Sequence, residues 1–167
     1  SILALHEDID LLIPRGANEF VRYCMENSLI PVLGTADGIC HIYLHNEANL
    51  NRALPILLDA KTQATGVCNA METLLIDVAW SQEDLAHIIE ALQRVHVQIF
   101  ADRELAVMFD LPIVEDWHHE YLSFGLSVKL VDGLDEAIEH INRYGSGHTD
   151  AILTEDRNAA EQFMKKV

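Results

Sequence analysis

Apolar positions along this chain fall in short blocks whose internal spacing switches repeatedly between strand-like runs and helical periodicity. Residues 9–14 (Ile-Asp-Leu-Leu-Ile-Pro) read as a short buried strand, followed by Arg15-Gly16 and a helix over about 18–27. Residues 30–33 are a brief apolar run, and residues 39–44 (Ile-Cys-His-Ile-Tyr-Leu) make a better strand. From Leu50 to Ala60 the apolar residues recur at helical spacing, with Leu50, Ala53, Leu54, Leu57 and Leu58 on one face. A strand over 73–78 precedes a helix that Ser81 can cap and whose first turn carries Glu83 and Asp84. That helix runs to about Arg94, and residues 97–100 return as a strand. A short helix near 103–109, a strand at 126–131, a helix over 134–144 stopped by Gly145, a strand at 151–153 and a last helix over 156–166 complete the pattern. Strands alternating with helices predict an α/β fold, a parallel-rich sheet flanked by helices.

Composition narrows the class. Half of the 167 residues are apolar, enough for one ordinary domain with a real core. No stretch approaches the roughly 18 consecutive apolar residues of a membrane span, and the first residues show neither a basic leader nor a cleavage site. The formal charge of −16 would repel nucleic acid and anionic membranes. Three cysteines do not look like a secreted disulfide framework. The expectation is a cytoplasmic protein with no nucleic-acid and no membrane partner.

Cys68 is the candidate nucleophile. It lies in Lys61-Thr-Gln-Ala-Thr-Gly-Val-Cys68-Asn-Ala-Met-Glu-Thr-Leu-Leu75, in a Gly-containing turn between a helix and a strand. Small and polar neighbours (Thr65, Gly66, Asn69) leave room for a carbonyl and supply backbone N–H donors, as covalent thiol catalysis requires. Cys24, on a helix, and Cys40, in an apolar strand, read as packing residues. His41 and His45 share a strand face and His118 adjoins His119, but no zinc-ligand spacing is present. Cys68, His148 and Asp150 could form a Cys-His hydrolase site, although such common residues group by chance. No P-loop and no G-x-G-x-x-G occurs; Arg15-Gly16, after a strand, could touch a phosphate. Lys61, His41 and His148 are candidate neighbours of the thiolate, and Glu72 reads as structural, pairing with a basic group.

Several blocks, in order, carry a resemblance that covers essentially the whole chain. They are Leu12-Ile-Pro-Arg-Gly16, Ile30-Pro-Val-Leu-Gly34, Asp37-Gly-Ile-Cys-His-Ile-Tyr43, Lys61-Thr-Gln63, Val67-Cys-Asn-Ala-Met-Glu-Thr-Leu-Leu75 and Tyr144-Gly-Ser-Gly-His-Thr-Asp-Ala-Ile-Leu-Thr154. Together they resemble the γ-glutamyl phosphate reductases (glutamate-5-semialdehyde dehydrogenases) of the aldehyde dehydrogenase superfamily. The resemblance implies an aldehyde dehydrogenase catalytic-domain-like fold. Residues 1–30 would be a remnant of the nicotinamide-binding domain, and residues 31–167 the thiol-bearing catalytic domain, truncated at its C-terminus.

The activity it implies is the NADPH-dependent reduction of L-glutamyl 5-phosphate to L-glutamate 5-semialdehyde and phosphate, in proline biosynthesis, through a Cys68 thioacyl intermediate. Cys68 and Asn69 would be catalytic, with Asn69 the weaker donor because related enzymes take theirs from a distant segment. Arg15 and Gly16 would contact the cofactor, and no metal is implied. Association with glutamate 5-kinase and a homo-oligomer are further implications. Residues 31–38 contain no Glu to activate water, which suits a reductase that must not hydrolyse its intermediate; Asp37 is the one acidic side chain there. An isolated segment of this kind should turn over poorly. The alternatives are a non-catalytic binding or scaffold domain of the same ancestry, or the Cys-His hydrolase.

Overall fold

The structure, a computed structural model, describes residues 1–16, 18–34 and 38–167, without the side chain of Asn18. The chain divides into two units, Ser1–Asp37 and Gly38–Val167. Residues 31–33 stay with the first unit because the Leu12 N–H donates to the Pro31 carbonyl and the Leu33 N–H to the Leu12 carbonyl, both at 2.9 Å.

In the first unit, α1 (Asn18–Asn27) buries Val21 and Cys24. The expected strand at 9–14 does not form. Leu12 makes a single parallel bridge to Val32, while Leu11 and Ile13 are exposed. The run is apolar enough for a strand, but one bridge gives it no ladder to extend.

The second unit is a five-stranded, wholly parallel sheet in the order β3-β4-β2-β1-β5. Its strands are β1 (Cys40–Leu44), β2 (Met71–Asp77), β3 (Gln98–Ala101), β4 (Gly125–Val131) and β5 (Ala151–Leu153). The connecting helices are α2 (Leu50–Thr62), α3 (Gln82–Arg94), α4 (Arg103–Phe109) and α5 (Gly133–Tyr144), with α6 (Arg157–Lys166) after β5. Every residue of β1 and β2 is buried, as expected of strands covered on both faces. The pleat sorts their side chains: Ile42, Leu44, Leu74 and Ile76 join Leu57, Leu85 and Ile88 of α2 and α3, whereas Tyr43 and Leu75 join Ile138, Ile141 and Phe163 of α5 and α6. Helices thus cover both faces. Ser81 caps α3, Asp102 caps α4 and Asp156 caps α6, each accepting from a first-turn N–H.

On the buried side of α5, His140 packs against His41, Trp117 and Tyr144, with ring centroids 5.5, 5.0 and 4.6 Å away. Its Nε2 and that of His41 have no hydrogen-bond partner among the described residues. Burial, then the neighbouring His41, push the His140 imidazole from the ordinary 6.5 down to about 3. Between those values the unfolded chain binds a proton that the native chain refuses. This contribution to stability is therefore complete above the unfolded value and is lost as pH falls toward the folded one. From about pH 7 to about pH 4.5 the loss should reach roughly 3 kcal/mol. Denaturant midpoints at the two pH values measure it, and His140→Phe should flatten the difference.

Candidate functional site

The loop 63–70 joins α2 to β2 and carries Cys68 and Asn69, both exposed. It is built of tight turns: the Val67 N–H reaches the Ala64 carbonyl at 3.4 Å, and the Ala70 N–H reaches the Val67 carbonyl at 3.1 Å. Ala70 is buried and anchors the loop where β2 begins. Among the described residues, neither the Cys68 nor the Asn69 backbone N–H has an acceptor within the chain. Two unclaimed donors therefore flank the thiol, which is the equipment an oxyanion site needs.

The loop rests on the start of β1. The Cys40 thiol donates to the Cys68 carbonyl oxygen at 3.2 Å. A Cβ at Gly38 would lie 2.3 Å from that oxygen, so no side chain fits there. The Gly38 N–H donates to Glu120 Oε1 at 2.9 Å, the Ile39 N–H to Ser146 Oγ at 3.0 Å and the His41 N–H to Asp150 Oδ1 at 2.9 Å. Segments 38–41, 68–70, 120–122 and 145–150 thus converge at the amino ends of the parallel strands. In open α/β sheets, ligands more often sit at the carboxyl ends.

Beside the loop, Lys61 at the end of α2 and Glu72 at the start of β2 form a buried pair 3.0 Å apart. Glu72 also accepts from the N–H groups of Tyr121 at 3.2 Å and Leu122 at 3.3 Å. Burial raises the Glu72 carboxyl, opposed by Lys61 and those two N–H groups, and lowers the Lys61 ammonium, opposed by Glu72. The structural reading of Glu72 holds. Lys61 is committed to it.

The Cys68-His148-Asp150 grouping does not assemble. His148 Nδ1 lies 3.9 Å from Cys40 Sγ and 2.8 Å from Thr149 Oγ1, and Asp150 is turned to His41. Among the described residues no hydrogen bond joins Cys68 Sγ to His148. A cleft of about 360 Å³ is lined by Ile141, His148, Asp150 and Phe163 but not by Cys68. The thiol lies on the surface. His118 and His119 diverge, toward Tyr144 and Tyr121, and among the described residues no three of His, Cys, Asp or Glu could hold a metal ion. Arg15 and Gly16 lie exposed in the first unit, ahead of α1. Asp37 is outside the described residues.

Cys40 is buried, as a packing cysteine would be, and its bond to the Cys68 carbonyl was not visible in the sequence. Gly38 and Ser146 were missed for the same reason: they act across the sheet. Among the described residues no helix is long and apolar enough to cross a membrane.

No protein-family model matches the sequence. The whole chain, by contrast, superposes on solved enzymes. An acetylating aldehyde dehydrogenase from Geobacillus thermoglucosidasius matches with a TM-score of 0.66 at 20% identity, covering 95% of this chain and 44% of that one. The fold class is that of the aldehyde dehydrogenases, here carrying an exposed cysteine on a loop with free N–H groups. The γ-glutamyl phosphate reductase of Ruminiclostridium cellulolyticum is 49% identical over 168 aligned residues, covering 99% of this chain and 39% of the relative. The crystal structure of γ-glutamyl phosphate reductase from Thermotoga maritima superposes with a TM-score of 0.95 at 37% identity, covering 99% of this chain and 41% of that one. Over the segment it spans, about two fifths of these relatives' length, the chain belongs to the γ-glutamyl phosphate reductase family.

Proposed function

We propose that this chain carries the thiol half of an NADPH-dependent reduction of L-glutamyl 5-phosphate to L-glutamate 5-semialdehyde and phosphate. The observation that carries the reading is the exposed Cys68 flanked by two unclaimed backbone N–H groups, in a chain of this family. The Cys68 thiolate attacks the acyl carbon, the bond from that carbon to the phosphate oxygen breaks, and phosphate leaves with the electron pair. Phosphate is a good leaving group, so the step needs no strong general acid. Negative charge collects on the acyl oxygen, within reach of the Cys68 and Asn69 N–H groups; one such donor is typically worth about 10²–10³ in rate. The exposed Asn69 side chain is a second donor of the same loop.

NADPH, when bound, supplies the hydride that takes the thioester to the aldehyde level. The exposed Arg15 guanidinium and the side-chain-free Gly16 backbone, ahead of a ten-residue helix, suit its phosphates. The first unit is read as part of the nicotinamide-binding domain and the second as thiol-bearing catalytic domain. A surface thiol outside the nearby cleft fits a site completed by the further length of the relatives. Cytoplasmic location, a homo-oligomer and association with glutamate 5-kinase belong to the same reading.

Alkylation of the three cysteines by iodoacetamide, followed by peptide mass spectrometry between about pH 6 and 9, tests it. Cys68, the exposed thiol of the three, should react fastest. Reactivity no greater than that of buried Cys24 and Cys40 would favour a non-catalytic domain of the same ancestry.

A further inference from the structure

We infer that Cys40 is a positioning residue: with Gly38 it fixes the Cys68–Asn69 peptide so that the Asn69 N–H faces the acyl oxygen of a group attacked by Cys68. The inference rests on the reading of Cys68 as nucleophile. The Cys40 thiol donates to the Cys68 carbonyl at 3.2 Å, and the Gly38 backbone leaves no room for a Cβ beside the same oxygen. That carbonyl is held from two sides at the inner face of the loop. Among the described residues no peptide bond is cis, so the Asn69 N–H points opposite to the Cys68 carbonyl, away from β1 and toward the exposed side. Among the described residues it meets no acceptor there. Pinning the oxygen therefore aims the hydrogen.

Cys40 suits this task better than a second nucleophile would. It is buried. Burial first, then the Asp150 carboxylate, push its thiol up to about 11, partly opposed by hydrogen bonds at Thr149; a Cys68 thiolate pushes it further the same way. It stays protonated, and so remains a donor. Gly38 is itself held by Glu120, which ties the rest to the 120–122 segment.

Two electrophiles separate positioning from general support. p-Nitrophenyl acetate acylates a thiolate: sulfur bonds the acyl carbon, the ester C–O bond breaks, and p-nitrophenolate leaves with the electron pair after negative charge has built on the acyl oxygen. Iodoacetamide alkylates the same sulfur at a saturated carbon and generates no oxyanion. In the full 167-residue chain, Cys40→Ala should slow acylation of Cys68 about tenfold, the scale of one hydrogen bond. The rate of alkylation should change less than about twofold. Cys40→Ser, which keeps a donor, should recover most of the acylation rate, and Gly38→Ala should slow acylation without slowing alkylation. Equal loss in both reactions, no loss in either, or no rescue by serine would overturn the inference while leaving Cys68 a nucleophile. No Cys68-dependent acylation in the unsubstituted chain would overturn both.

Discussion

Replacing Cys68 by serine should slow acylation of the chain by an activated ester by roughly 10³-fold or more. A hydroxyl is a weak nucleophile unless a base stands within hydrogen-bond reach. The nearby imidazole cannot serve: His148 is placed against Cys40 and Thr149, and Asp150 is turned to His41. A thiol needs no such base, because its anion is accessible near neutral pH. On the reading of Cys68 as nucleophile, serine should therefore be almost as poor as alanine. Intact-mass measurement of the acyl adduct over time, on the unsubstituted chain and both variants, gives the result directly. Acylation retained in Cys68→Ser would mean that another residue takes the acyl group. Circular dichroism should be unchanged, since the exposed side chain contributes little packing.

The second large effect is on stability. Lys61→Met should lower it by about 3–5 kcal/mol, because the Glu72 carboxylate is left buried without its cation. The way the loss is recovered should identify what Glu72 does. A fully apolar pair, Lys61→Met with Glu72→Leu, removes the buried charge but also strips the Tyr121 and Leu122 N–H groups of their acceptor. Each such orphan typically costs about 1–3 kcal/mol. Lys61→Met with Glu72→Gln keeps a carbonyl acceptor and removes the charge, so it should recover more. Urea midpoints of the three variants rank them. If the apolar pair proved the more stable, the bonds to 121 and 122 would carry no weight. Leu122 has a positive φ of 50°, a conformation uncommon for such a residue, which these bonds help to hold.

How much of this could be read beforehand depended on the range of the interaction. The helices Arg103–Phe109 and Gly133–Tyr144 and the strand Ala151–Leu153 were legible because apolar spacing and a local stop or cap define them. The central strands were legible because burial on both faces makes them continuous apolar runs. The same signal misled at residues 9–14, where an apolar run lacks a partner ladder. The exposed loop position of Cys68 was legible from its Gly-containing turn; a basic partner for Glu72 was expected, but not that it would be Lys61, which the sequence had placed beside the thiolate. The supports were not legible. Cys40 looks like any cysteine in an apolar strand, and Ser146 and Asp150 lie far along the chain from the Ile39 and His41 amides they hold. The expected triad failed for a related reason: closeness in sequence of His148 and Asp150 does not say which way either turns.

The order of the strands has a kinetic consequence. Among the described residues β5 pairs with β1 alone, joining Ile42 to Ala151 near opposite ends of the second unit, through three residue pairs. Closing so long a span costs chain entropy before so short a ladder returns anything. β1, β2 and β4 can zip together first around the apolar core, with β5 docking late. Ser146 and Asp150, which accept from the Ile39 and His41 amides around the start of β1, arrive with it. A nascent or refolding chain would thus display the Cys68 sulfur before the ground beneath it is firm, and on the reading of Cys68 as nucleophile competence should lag behind compaction.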